Sequence, residues 1–121
     1  MSVITIYHNP NCGTSRNVLA MFRDAGYAPQ VVEYLKTPPS KTELERLVKM
    51  LGMPIRNMMR RKGSPYEELA LDDPKWTDKQ LIDFIMQHPI LIERPIVVVD
   101  DRAWLCRPSE MAAKIIVELE D

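Results

Sequence analysis

The chain has 121 residues, 45% of them hydrophobic and 27% charged, and a formal net charge of −1. That length sets one domain, 1–121, as the expectation, large enough to bury roughly two-thirds of its unfolded surface. The near-neutral charge excludes the basic field of a general nucleic-acid binder, and no apolar run reaches the ~18 residues of a membrane span. The opening MSVITIYHNP has neither a basic leader nor a small-residue cleavage site, so no export signal is expected. Two cysteines are too few for a disulfide scaffold. Both are therefore expected as free thiols in a cytoplasmic protein.

In chain order, Val3 to Tyr7 reads as a buried strand. Residues 14–25 follow as a helix with Val18, Leu19, Phe22 and Ala25 on one face, and Gly26 is its stop. Gln30 to Leu35 reads as a second strand, and a crossover of this length predicts parallel pairing with right-handed connection. Pro38-Pro39 breaks the chain. Ser40 and Glu43 form a capping box for a helix from Lys41 to Leu51, which Gly52 ends. Pro54 suits the first turn of a further helix, 54–61. Gly63-Ser64-Pro65 reads as a turn, and Tyr66 to Leu71 is compatible with a short helix. Thr77 and Gln80 form a second capping box, opening a helix to Gln87 with Leu81, Ile82, Phe84 and Ile85 on one face. Met50, Met53, Met58 and Met59 read as core. Ile96 to Val99 is a strongly apolar strand, Asp100-Asp101 a hairpin turn, Ala103 to Leu105 the returning strand, and Pro108 to Leu119 the last helix. The fold class expected is α/β, a mixed sheet of four strands with a central helical insertion at about 40–88.

The most informative residue is Cys12. It lies in His8-Asn9-Pro10-Asn11-Cys12-Gly13-Thr14-Ser15-Arg16-Asn17, a short loop between a strand and a helix. A thiol there faces the unsatisfied N–H groups of a helix start, which favour a thiolate and bind anions. A free thiol titrates near ~8.5, and a helix N-terminus with a nearby cation lowers that to roughly 3.5–7.5. His8, four residues upstream, either tunes the thiol or shapes the loop. The pattern is C-x-x-S, so no second thiol closes a local disulfide, and Ser15 offers the sulfur a hydroxyl instead. A thiol from elsewhere, Cys106 or an external one such as glutathione, must resolve any covalent adduct. Position 18 is Val, which argues against the C-x5-R loop of protein tyrosine phosphatases. Cys106 closes a strand and reads as a structural thiol. His8 and the two cysteines do not make a metal site, since only one His/Cys pair is close in sequence.

Arginine suits a tetrahedral oxyanion because its planar fork donates two parallel hydrogen bonds. Arg94 and Arg107 each precede a proline and flank the predicted hairpin, which places both at one edge of the sheet. Arg60 ends a predicted helix, where a cation also offsets the helix dipole. Spacing alone does not bring residues 60, 94 and 107 together.

The loop HNPNCGTSRN, the segment QHPILIERPIVV at 87–98 and the segment LCRPSE at 105–110 resemble the glutaredoxin-coupled arsenate reductase family over nearly the whole chain. The resemblance implies a thioredoxin-like fold, with Cys12 as the nucleophile, His8 as the residue that lowers its pKa and Ser15 as the hydroxyl beside it. It assigns Arg60, Arg94 and Arg107 to the oxyanion and makes Pro95 similar to the cis-proline of thioredoxin-like folds. It also implies arsenate as substrate, glutathione as co-substrate and glutaredoxin as partner, with no bound cofactor, metal, nucleic acid or membrane. Two other readings remain at this stage. One is a glutathione-dependent thiol transferase of other specificity. The other is a non-catalytic thioredoxin-like adaptor that binds RNA polymerase, although regulators of that type typically carry C-x-x-C.

Overall fold

The computed structural model describes residues 3–120; residues 1, 2 and 121 of the expected domain lie outside the described part. The elements run β1 (Ile4–His8), α1 (Gly13–Asp24), β2 (Gln30–Glu33), α2 (Lys41–Leu51), α3 (Asp78–Gln87), β3 (Ile96–Val99), β4 (Arg102–Leu105) and α4 (Met111–Glu120), with short 3-10 turns at Ile55–Met58 and Pro89–Leu91. The chain divides into two compact units, one formed by residues up to Tyr34 together with those from Arg94 onward, the other by Leu35–Glu93.

The first unit holds a four-stranded mixed sheet in the order β2-β1-β3-β4. β1 pairs with β2 in parallel, and β3 runs antiparallel to both β1 and β4. This is a thioredoxin-like α/β fold, as the sequence indicates. Successive strand residues alternate between faces, so Ile4 and Ile6, paired with Val99 and Val97, turn to one side. There they join Val18, Leu19 and Phe22 of α1 and Ala112 and Ile115 of α4 in one buried cluster. The apolar face expected of α1 is the buried one except at Ala25, which caps the helix and is exposed. Gly26 follows at φ +93°, a left-handed conformation that costs glycine little.

The β3–β4 turn has two residues, Asp100 and Asp101, between the paired residues Val99 and Arg102. Asp100 adopts φ +55°, a conformation aspartate tolerates better than most residues. At the other end of this hairpin Ile96 pairs with Leu105, and the Cys106 N–H donates to the Pro95 carbonyl at 3.0 Å. Arg94 and Arg107 therefore stand opposite each other just beyond the last paired residues. Both Arg-Pro bonds, Arg94–Pro95 and Arg107–Pro108, are cis. The helix expected from Pro108 begins at Met111. Residues 108–110 instead form a tight turn, in which the Met111 and Ala112 N–H groups reach back three residues to Pro108 and Ser109.

In the second unit both capping boxes form, Ser40 with Glu43 and Thr77 with Gln80, and Gly52 ends α2 at φ +64°. Met58 and Met59 are buried, and Met50 and Met53 are half-buried. Two helical expectations fail here. The segment 54–61 makes only the 3-10 turn Ile55–Met58, because the next backbone groups are used differently. Arg60 N–H donates to Leu91 O at 2.7 Å and Glu93 N–H to Met58 O at 2.8 Å, an antiparallel pairing that stops the helix. Tyr66 to Leu71 forms consecutive turns, broken where Ala70 sits at φ +52°.

Candidate active site

The thiol loop is built by the end of β1 and the start of α1. Cys12 is the N-cap of α1, with φ −102° and ψ 121°, so its backbone is still extended when the helix begins. Its N–H donates to Asn9 O at 3.0 Å, and its carbonyl accepts the Arg16 N–H at 3.0 Å, the first helical bond. Arg16 ties the loop from outside, its Nη1 donating to Pro10 O at 2.8 Å. The sulfur is half-buried. The first-turn N–H groups at Gly13, Thr14 and Ser15 have no acceptor within the helix.

Arg107 Nη1 stands 3.7 Å from Cys12 Sγ and donates to the Arg94 carbonyl at 2.9 Å. One guanidinium thus touches the sulfur and the backbone of the second arginine. Arg94 itself is buried. Burial alone would raise the thiol pKa, but the Ser15 backbone N–H, hydrogen bonds from Arg107 and Arg94, and the Arg94 charge outweigh it. The net effect holds Cys12 below the ordinary cysteine value, in the direction of a thiolate.

His8 and Ser15 are both buried. His8 Nδ1 lies 2.6 Å from Ser15 Oγ, and the same oxygen accepts the Asn9 N–H at 3.1 Å. The Ser15 hydroxyl, expected beside the sulfur, is therefore engaged by His8 and Asn9. It is the backbone N–H of Ser15 that favours the thiolate. Burial holds the His8 imidazole below its usual pKa, helped by the charges of Arg23 and Arg16 and opposed by Glu33. Structurally, His8 joins the end of β1 to the first turn of α1.

Arg60 belongs to the Leu35–Glu93 unit. Its Nη1 contacts Glu93 Oε1 at 3.0 Å and its Nε donates to Lys62 O at 2.8 Å. It follows an extended bridge at Met59 and not a helix end, so the helix-dipole role weighed for it does not apply. The structure brings Cys12, His8, Ser15, Arg94 and Arg107 together in one unit. Cys106 lies in the apolar cluster of the same unit, fully buried, its thiol pushed up to about 12 by desolvation. Among the described residues no group of three or more His, Cys, Asp or Glu stands where it could hold a metal ion. No helix among them is long and apolar enough to cross a membrane.

A family model described as the ArsC family matches residues 7–115. The chain belongs to the ArsC family. This ArsC chain is 54% identical over 120 residues to an arsenate reductase of Escherichia coli, covering 99% of itself and 85% of that relative. It is also 54% identical over 113 residues to an arsenate reductase of Rhizobium meliloti strain 1021, covering 93% of itself and 81% of that relative. Among solved structures it resembles an arsenate reductase from Vibrio cholerae, with TM-score 0.89 and 46% identity over 93% of this chain and 97% of that one.

Two residues bonded to the ArsC chain's expected site residues, one in each unit, escaped sequence reasoning. Asn9 receives and donates bonds throughout the loop. Its signal was present as an Asn-Pro-Asn run, the composition of an Asx turn. Glu93, the partner of Arg60, had no local signal, because the pair is distant in sequence.

Proposed function

We propose that this chain reduces arsenate to arsenite through a covalent adduct on Cys12, with glutathione and glutaredoxin supplying the electrons. The observation that carries this reading is the contact of Arg107 with both the Cys12 sulfur and the Arg94 backbone. It sets a thiolate-stabilising cation where an anionic substrate must arrive. The names of the similar chains supply the anion.

In the first step the Cys12 thiolate attacks arsenic. An S–As bond forms, and one arsenate oxygen leaves as water after taking up protons. Arg107 and Arg94 offset the charge on the remaining oxygens, as preorganised donors do most effectively. In the second step a glutathione thiolate attacks the Cys12 sulfur. The S–As electron pair stays on arsenic, which goes from As(V) to As(III), and a Cys12–glutathione disulfide forms. A glutaredoxin thiol then reduces that disulfide and restores Cys12. Two thiols are oxidised for each arsenate reduced, so electrons balance. Covalent capture divides one hard reduction into smaller exchanges. Family resemblance adds Arg60 to the residues that serve the oxyanion, and Glu93 orients its guanidinium.

The test is arsenate-dependent NADPH oxidation in the presence of glutathione, glutathione reductase and glutaredoxin. The wild-type chain is expected to turn over and Cys12→Ser to lose turnover while remaining folded. Arg94→Ala is expected to raise the KM for arsenate more than it lowers stability. Full turnover by Cys12→Ser would sink the mechanism. Turnover of a glutathione mixed disulfide with none of arsenate would replace it with a thiol transferase.

A further inference from the structure

Asn9 bears no charge and touches no reacting atom, yet three residues of the thiol loop are bonded to it. Its Oδ1 accepts the Asn11 N–H at 3.0 Å. Its carbonyl accepts the Cys12 N–H at 3.0 Å. Its own N–H donates to Ser15 Oγ at 3.1 Å. Asn9 is 4% exposed, whereas Pro10 and Asn11 beside it face solvent. Each bond does a separate job. The Oδ1 contact closes an Asx turn over Pro10, a position with no N–H of its own to give. The carbonyl bond uses the Cys12 N–H and so fixes the direction from which the thiol leaves the backbone. The bond to Ser15 joins the end of β1 to the first turn of α1.

We propose that Asn9 is a positioning residue for the Cys12 nucleophile, its carboxamide holding the loop in the form that keeps the sulfur against the Ser15 N–H and the Arg107 guanidinium. The proposal rests on Cys12 being the nucleophile of the proposed function. It acts through geometry alone, because a neutral amide adds no charge to the thiol. Hydrogen bonds to sulfur weaken steeply as distance and angle depart from the optimum. A loop that loosens therefore loses thiolate stabilisation with every donor still present.

The test is the titration of the Cys12 thiol, read as its alkylation rate with iodoacetamide against pH, together with arsenate kinetics. Asn9→Ala is expected to raise the thiol pKa by about one unit, which at a pH well below that pKa lowers the thiolate fraction about tenfold, and to lower kcat more than it changes KM. Asn9→Ser, whose hydroxyl closes the same kind of turn, is expected to restore most of both. A folded Asn9→Ala protein with the wild-type thiol titration overturns the proposal, whether or not its Tm has fallen. If Asn9→Ala does not fold, amide exchange in the wild-type protein decides. Slowed exchange at Asn11, whose N–H the carboxamide accepts, is expected, and exchange there at the unprotected rate overturns the proposal. Alkylation needs no arsenate. An Asn9-dependent thiolate in a protein inert to arsenate would overturn the proposed substrate and uphold the positioning role.

Discussion

Cys12 shows how one side chain's chemistry is set by its neighbours. Its position at a strand-to-helix junction was legible from the flanking Pro10 and Gly13, and so was the anion-ready helix start. The lowered direction of its pKa was legible too, but not the cations that join the helix start in lowering it, because Arg94 and Arg107 reach the sulfur only through the hairpin. The hydrogen-bond partners of the Ser15 hydroxyl were not legible either. Nothing in the C-x-x-S spacing reveals that His8 and Asn9 engage it. The lowered thiol pKa makes a prediction about folding. In the unfolded chain Cys12 takes its ordinary value, so its folded-state shift contributes stability that is fully present above that value. The contribution disappears as pH falls through the lowered, folded value. The stability of the wild type relative to Cys12→Ser should therefore grow as pH rises from below the lowered, folded value and level off above the ordinary cysteine value. Urea unfolding of both proteins at several pH values reads it directly. A pH-independent difference would mean that the donors around the sulfur do not stabilise its charge.

At the scale of elements, the sequence was most reliable where a helix carries its own punctuation. α2 matches its expected bounds from Lys41 to Leu51, and α3 starts where its capping box places it. In both, the signal lies within four residues and needs no tertiary partner. Removing either cap oxygen, by Ser40→Ala or Thr77→Ala, should cost about 1 kcal/mol of stability, measured from urea midpoints, with Ser40→Asp near wild type. Loss of less than a few tenths would mean that water replaces the cap at no cost. Elements decided by distant partners were the ones misjudged. The segment 54–61 has an acceptable helix start at Pro54, but its backbone pairs with residues 91–93. The length of α4 was likewise overestimated, because the turn after Arg107 uses up three residues before the helix opens.

At the scale of the whole molecule, the chain's two thiols differ in burial, Cys12 half-buried at the start of α1 and Cys106 sealed in the core. Cys106 is fully buried with a thiol pushed up to about 12, so almost none of it is thiolate at neutral pH. Exposure of the native protein to oxidised glutathione should therefore add one glutathione per chain, at Cys12, by intact-mass and peptide analysis. Cys106→Ser should take up the same single adduct and keep most arsenate turnover. A second adduct, or a dead Cys106→Ser enzyme, would assign Cys106 a part in the exchange. The sequence reading that asked for a thiol beyond C-x-x-S, either Cys106 or an external one, was possible because the missing second cysteine is visible in one line of text, whereas the burial of Cys106 is visible only in its packing. The hairpin that carries the two arginines has a further implication for how such a chain tolerates change over evolutionary time. Turn tips usually accept insertions and deletions freely. Here the pairing of Val99 with Arg102 at the tip sets the pairing of Ile96 with Leu105 at the base, and a one-residue slip sends each side chain to the opposite face of the sheet. Any change in the Asp100-Asp101 turn that shifted this register would thus turn Arg94 and Arg107 differently, so a surface loop with no chemistry of its own is constrained in length by the arginines at the far end of its hairpin.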